Sequence, residues 1–372
     1  MRNFEIIDRS LFLMNIFGVH PAKVGSKIQF VVFLFFIINY LITTYWMIMY
    51  FILKDDKDVI MFITLIANVL CTVHALLYHV CLYVQRPKIM ELLNDMQTNF
   101  WDIENYSNDD LRSTHHHTTK LLRIKYVMFC CMVFSCGLTY FYGRILEDME
   151  TVPENMLFES YIPDGMNFWV EFLLEHIPAY GLMLLEIALD FLICTILSLT
   201  TLQFKLLRYE LERVFDTTVD QSMKISEKIR KCNMHHTFLL SFRTMLNDAF
   251  SMLMLAYIGV VVMILCMEIY LMFQMDSIGN ILKTVVYSAL MFFEFFICYC
   301  YPAQDLTDEA DKLSESIYSS GWYDYPIHQK DVLMLTGKTQ IQVIFTVGGI
   351  LKLDLPTGMA LFDGTWAYIE LC

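Results

Sequence analysis

The sequence predicts an all-α membrane protein with seven transmembrane helices, a cytoplasmic N-terminus and an extracellular C-terminus. Three observations carry that prediction. Of the 372 residues, 56% are apolar and 15% aromatic, and the mean hydropathy is +0.48, well above the roughly 45–50% apolar content of an average soluble domain. Ile28 to Leu53 and Val59 to Val84 each run without Asp, Glu, Lys or Arg, and a bilayer core of roughly 30 Å needs only about 20 helical residues to cross it. Finally, Lys and Arg fall almost entirely in alternate loops.

The elements follow in order. The first apolar run begins at Ile28, is longer than a signal-peptide core, and is followed by no small-residue cleavage site, so it reads as a retained helix. After the second come Tyr126 to Gly143, a segment inside Phe168 to Phe204, Phe250 to Gln274, Thr284 to Tyr301, and a last segment ending at Cys372. The N-terminus and the loops Gln85–Lys125, Thr201–Arg243 and Pro302–Thr339 hold 21 basic residues, and the opposite set holds 4. The positive-inside rule places the basic set in the cytoplasm. Asn167 to Leu211 and His235 to Gln274 keep a helical period beyond any apolar run, and 40 residues of helix reach about 60 Å. With Asp305 to Leu335 they predict a cytoplasmic helical collar. Gly348 and Gly349 split the last segment. Asp354 then offers a cap with Pro356 in the first turn, so a separate helix runs from Pro356 to Cys372.

Several chemistries lack support. The eleven cysteines lie mostly within apolar segments, where a thiol behaves as a small hydrophobe, and they form no disulfide or metal-binding pattern. The net charge of −14 comes from the loops. His74 and His79, His115 to His117, and His235-His236 are all predicted toward the cytoplasm. Imidazole clusters suit iron, but the H-x-x-H-H boxes of membrane di-iron desaturases are missing, so solvated loop histidines are expected. The sequon Asn105-Tyr-Ser107 falls in a predicted cytoplasmic loop and should be unused. A G-protein-coupled receptor would have the opposite orientation, and neither an Asp-Arg-Tyr triplet after the third span nor an Asn-Pro-x-x-Tyr in the seventh is present.

The C-terminal quarter carries Tyr318 with Trp322-Tyr323, Lys338-Thr-Gln340, Thr346-Val-Gly348-Gly349, Leu353-Asp-Leu355-Pro-Thr357 and Tyr368. In order and spacing this region resembles the insect odorant receptor family. Asp190-Phe-Leu through Leu206-Leu207, and His236 with Phe242, look like that family's long fourth and fifth helices. The chain departs from the family pattern at Gln342, Gly358, Asp363 and Trp366. The resemblance implies an odorant-gated, non-selective cation channel subunit, not an enzyme, in the plasma membrane of olfactory sensory neurons. It further implies a heterotetramer with the odorant co-receptor around a pore lined by the second half of the split last helix. The expected partners are that co-receptor, a small volatile organic ligand and the lipid bilayer, with no nucleic acid and no cofactor. Residues 1–301 would then form a six-helix region with the odorant pocket in its outer half. Residues 302–372 would hold the cytoplasmic anchor and the pore helix, joined by extensions around 202–249. The related gustatory receptors are the nearest alternative, but their Thr-Tyr-x-x-x-x-x-Gln-Phe signature is absent.

Candidate site residues follow from both sources. On the final helix Ala360, Gly364, Ala367 and Leu371 share a face. The resemblance makes Leu371, three residues beyond Tyr368, the gate, with Glu370 near the outer mouth as a cation attractor. A stripe of small residues also serves close helix packing. For the ligand, the outer halves of the spans offer Phe62 and Ile66, then Ser135, Leu138 and Tyr142, then Tyr180 and Met183, then Tyr287 and Met291, since aromatics and methionines give adaptable apolar surface. Acidic residues inside spans are costly. Glu186 and Asp190 are expected at the inner interface, and Glu268 and Glu294 are expected to pair with neighbouring helices.

Overall fold

The computed structural model describes residues 5–54, 58–103, 106, 109–147, 161, 167–216, 225–274, 278–361 and 363. Helix α1 (Glu5–Ile16) leads through a short 3-10 turn into α2 (Lys27–Leu53), followed by α3 (Val59–Asn99), α4 (Asp109–Glu147), α5 (Phe168–Glu212) and α6 (Ile225–Gln274). Next is α7 (Ile278–Phe293), which continues through a π-helical stretch, Glu294–Cys300, directly into α8 (Tyr301–Asp311). The chain then forms α9 (Leu313–Tyr318), α10 (Gln329–Thr339) and a hairpin of β1 (Thr346–Val347) and β2 (Leu351–Lys352). Among the described residues, five helical segments are long and apolar enough to cross a membrane.

Two helices are longer than the apolar runs that announced them. Asp58 caps α3, accepting the Met61 amide at 2.6 Å, and α3 then continues past Val84 and through Pro87 to Asn99. The expected loop after Val84 is therefore helix. Its driving pattern is Ile89, Leu92, Leu93 and Met96, all buried, at the three- and four-residue spacing of one helix face. Helix α4 likewise begins at Asp109, well before the apolar residues from Tyr126. The apolar run marks where hydrocarbon would end, whereas the helix ends where its buried stripe ends. Helix α5 matches the expected Asn167–Leu211 to within a residue at each end, while α6 starts at Ile225 rather than His235.

Helix α5 is the central column. In its most apolar stretch 78% of residues are buried, against 22% in α3, so the other helices present lipid-compatible faces around it. Helix α1, not anticipated from the sequence, packs on α5 and buries Met14. The end of the bundle that holds the basic loops is a helical collar. There Arg208 Nη1 donates to Glu309 Oε2 at 3.0 Å, Lys312 Nζ to Glu309 Oε1 at 2.8 Å, and Lys338 Nζ to Asn233 Oδ1 at 2.9 Å. The backbone at Trp101 joins α5 there, because Gln203 accepts the Trp101 N–H at 2.8 Å and donates to its carbonyl at 3.1 Å.

The split in the last segment is a hairpin rather than a broken helix. Gly348 and Gly349 both have positive φ, +60° and +69°, as a tight turn of mirror-image type requires. Thr346 pairs with Lys352, and Val347 with Leu351. The hairpin is anchored to α6 by the Gly348 N–H, which donates to the Ser251 carbonyl at 3.2 Å. A new helix then starts at Leu355 and is described over 355–361 and 363. Its first turn is capped by Asp354, which accepts the Thr357 amide at 2.8 Å.

Candidate functional site

The expected ligand residues divide by position. Met291 is buried, and Met183 and Tyr287 are half-buried and packed on the core. Tyr180 is half-buried, its ring 6.0 Å from that of His176 on the same helix. These four come from α5 and α7 and turn toward the interior. Ile66 on α3 is half-buried. Phe62 is 48% exposed and meets Phe51 of α2, ring centroids 5.8 Å apart. Ser135 and Leu138 on α4 are also exposed, so Phe62, Ser135 and Leu138 are not brought to the interior group. The side chain of Tyr142 lies outside the described residues.

Beneath those residues lies a polar junction that the sequence indicated only in part. Glu186 and Asp190, one turn apart on α5, are 8% and 0% exposed. Both are buried among the helices of the bundle. Asp190 Oδ1 accepts the Tyr78 hydroxyl of α3 at 3.3 Å and also the Tyr299 hydroxyl of the π stretch. His74, one turn before Tyr78, places Nδ1 3.5 Å from Glu186 Oε1. Glu294 is fully buried and faces Asp190 and Tyr257, and the rings of Tyr257 and Tyr299 lie 5.6 Å apart. Glu268 is near Cys71, whose thiol also meets Tyr287. Thus the junction ties four helices together, and Tyr287, one of the expected ligand residues, meets it through Cys71.

The electrostatics of this junction are demanding. A carboxylate in hydrocarbon is expensive unless donors surround it. Two tyrosine hydroxyls converge on one Asp190 oxygen, while the second Asp190 oxygen, both Glu294 oxygens and the Tyr257 hydroxyl are buried facing one another without a hydrogen bond of full geometry. A network with spare acceptors can exchange partners when its helices shift by a fraction of an ångström. Glu294 and Tyr299 lie on the π stretch, and π-helical turns occur mostly as local bulges and frequently at functional sites. Tyr78, Tyr257 and Tyr299 were missed by sequence reasoning. The available signal was the demand itself, since three acidic residues in apolar helices need donors, and tyrosines were the long-reaching donors in those helices.

The helix that starts at Leu355 meets the π stretch at this same level. Gly358 is buried, and a Cβ there would stand 3.0 Å from both Cys300 Sγ and Phe296 Cε1, and 3.2 Å from Phe295 Cε1. The departure from the family pattern at Gly358 is therefore a close-packing seat against the π stretch. Of the expected pore residues, Ala360 is exposed. Gly364, Ala367, Glu370 and Leu371 lie outside the described residues, as does Tyr368. Trp322 packs partly on the core, Tyr323 and Gln340 are exposed, and Thr357 forms the capped first turn.

The histidine expectation needs correction. His79 is buried, and its Nε2 lies 2.8 Å from the Phe17 carbonyl. His74, His235 and His236 are buried as well, with His235 stacked on Trp101 at 3.8 Å. They sit on packed helices, not in solvated loops: His74 and His79 lie within the apolar run of α3 itself, and His235 and His236 on the polar extension of α6. Only His116 and His117 of the triplet are exposed. Among the described residues, no three His, Cys, Asp or Glu side chains converge as a metal ion would require.

A family model described as 7tm Odorant receptor matches residues 58–365. Odorant receptor 46a, isoform B, of Drosophila melanogaster is 25% identical over 190 residues, which is 50% of this chain and 49% of that protein. The match thus spans about half the length of this curated relative. Among solved structures, the insect olfactory receptor OR5 from Machilis hrabei in complex with eugenol superposes with a TM-score of 0.83 at 14% identity, covering 99% of this chain and 97% of that one. A second structure of the same receptor gives a TM-score of 0.77 at 15% identity over the same shares.

Proposed function

Since the chain belongs to the odorant receptor family, we propose that it is an odorant-gated, non-selective cation channel subunit working as a heterotetramer with the odorant co-receptor. In this reading it crosses the plasma membrane of olfactory sensory neurons seven times, with its N-terminus inside and its C-terminus outside. The ligand is a small volatile organic molecule held in the outer half by Tyr180, Met183, Tyr287 and Met291, with Ile66 beside them. Phe62, Ser135, Leu138 and Tyr142 complete the proposed set and would join it through motion of α3 and α4. Eugenol, the small phenolic named with the Machilis receptor, is a reasonable first probe.

The observation that carries the reading is the continuity from the proposed ligand residues to the helix that starts at Leu355. Tyr287 belongs to α7, α7 runs without a break into the π stretch, and the π stretch both supplies Tyr299 to Asp190 and seats Gly358. A ligand that fits better when these helices are shifted would bias the closed-to-open equilibrium by its difference in affinity. The motion would reach a pore face of Ala360, Gly364, Ala367 and Leu371. There a ring of Leu371 gates by dewetting, and Glu370 attracts cations.

The test is whole-cell current in cells expressing this chain with and without the co-receptor, during a volatile panel that includes eugenol and with G-protein signalling blocked. Ligand-evoked cation current that requires the co-receptor is the expected result. Responses that vanish under the G-protein block would overturn direct gating.

A further inference from the structure

On the basic side of the bundle, away from the ligand residues, α4, α5 and α8 enclose a cavity of about 230 Å³. Its walls include His117, Lys125, Ser198, Lys205, Tyr301 and Asp305. This is smaller than the roughly 300–1,000 Å³ pockets that enclose drug-sized ligands, and its character is polar and cationic rather than apolar. In the proposed topology it falls at headgroup level. Lys125 is the last charge before the apolar run from Tyr126, and Tyr301, which ends the sixth span, is 50% exposed.

The donors available in this cavity select the ligand chemistry. The Ser198 and Thr201 hydroxyls donate to the Cys194 and Leu197 carbonyls of their own helix, and Thr114 and Thr118 do the same one turn back along α4. What remains are cations held by weak partners. Lys125 Nζ reaches the Ile297 carbonyl at 3.4 Å and lies 4.9 Å from the Tyr301 ring centroid, while Lys205 Nζ stands 3.8 Å from Asp305 Oδ2. Both contacts are long for charge-assisted hydrogen bonds, which run to roughly 2.7–2.9 Å. Two lysines and an exposed imidazole around a headgroup-sized space, between membrane helices on the basic side, match the pattern by which anionic lipid headgroups are captured.

We propose that this cavity binds the phosphorylated headgroup of an anionic lipid, with Lys125 and Lys205 as the charge pair and His117 as a further donor. Binding would draw Lys125 from the Ile297 carbonyl, so that lipid occupancy acts on the π stretch of the sixth span. The headgroup site stands independently of channel activity, and only its assignment to the inner leaflet rests on the orientation proposed above.

The experiment uses the purified full-length chain in phosphatidylcholine nanodiscs with or without phosphatidylinositol bisphosphate, with lipid retention read by native mass spectrometry. Inorganic phosphate and free inositol phosphate are titrated in parallel. Removing one basic residue near an anionic headgroup weakens binding about fivefold. Lys125→Gln and Lys205→Gln should each do so, Lys125→Arg should restore binding, and Asp305→Asn should strengthen it. Elution profile and melting temperature identify variants that fail to fold, and for these the gain from Asp305→Asn keeps the test open. Retention unchanged in all four variants would overturn the proposal. Saturation by free phosphate with no preference for the lipid would overturn the lipid assignment.

Discussion

Alanine at Gly348 and at Gly349 should have unequal effects, and the inequality isolates how the hairpin is held to α6. Both positions have positive φ, +60° and +69°, so an L-residue at either carries a left-handed strain of roughly 1–2 kcal/mol. At Gly349 a new Cβ meets nothing within 4 Å, and strain is the whole effect. At Gly348 it would stand 2.6 Å from Leu255 Cδ2 and 3.3 Å from Cδ1 and Cγ. Overpacking of that kind adds about 1–3 kcal/mol, and the Gly348 N–H bond to Ser251 is put at risk as well. Gly348→Ala should therefore cost about 2–5 kcal/mol in all. The assay is thermal melting of the detergent-solubilised chain, followed by size-exclusion chromatography. Gly348→Ala should melt below Gly349→Ala, and adding Leu255→Ala should narrow the gap, since contacting residues couple. Equal melting of the two alanine variants, or a gap unchanged without the Leu255 side chain, would refute the docking argument.

Three further outcomes follow from the structure. Tyr299→Phe and Tyr78→Phe each remove a hydroxyl from Asp190, at roughly 0.5–1.5 kcal/mol for a typical hydrogen bond. Because both act on one oxygen, a double-mutant cycle in the melting assay should give non-additive losses. Gln203→Leu strips both partners from the Trp101 backbone and should cost about 1–3 kcal/mol, with faster amide exchange at Trp101 as the specific readout. In the collar, outside the membrane-spanning part of α6, burial lowers the His235 pKa to about 3 from an ordinary 6.5. The folded state therefore favours the neutral ring. Its contribution is fully present above pH about 6.5 and declines as pH falls toward about 3. Melting temperature should drop between pH about 7.5 and about 5.5, and His235→Phe, which keeps the stack on Trp101, should flatten that dependence.

How much of this was legible from sequence depends on which force sets each feature. Five of the expected spans were legible because transfer of apolar side chains is a local property, summed along the chain. Asp354 was legible because capping needs only a short side chain next to its helix. Helix ends at Asn99 and Asp109 were not, because the residues that extend those helices bury against partners distant in sequence. The hairpin at Gly348-Gly349 read as a helix break, since positive φ at a glycine is invisible until a turn demands it. The same limit applied to Asp190. Its acidity in an apolar run announced a constraint, but the donors, Tyr78 and Tyr299, lie 112 and 109 residues away.

The π stretch after α7 also bears on how that helix tolerates change. Among the described side chains of α7 the exposed positions are Val285, Ala289 and Phe292, the three- and four-residue beat of a helix with one side toward lipid. From Glu294 to Cys300 six of the seven residues are buried and only Ile297 is partly so. The next exposed position is Tyr301. A substitution scan along this span should therefore be rhythmic and then fall silent, with a whole turn in which no position accepts a lysine. A chemical label that reaches Cys298 or Cys300 would have had to part protein from protein, so its rate of attachment measures the opening of this wall and not the fluidity of the bilayer around it.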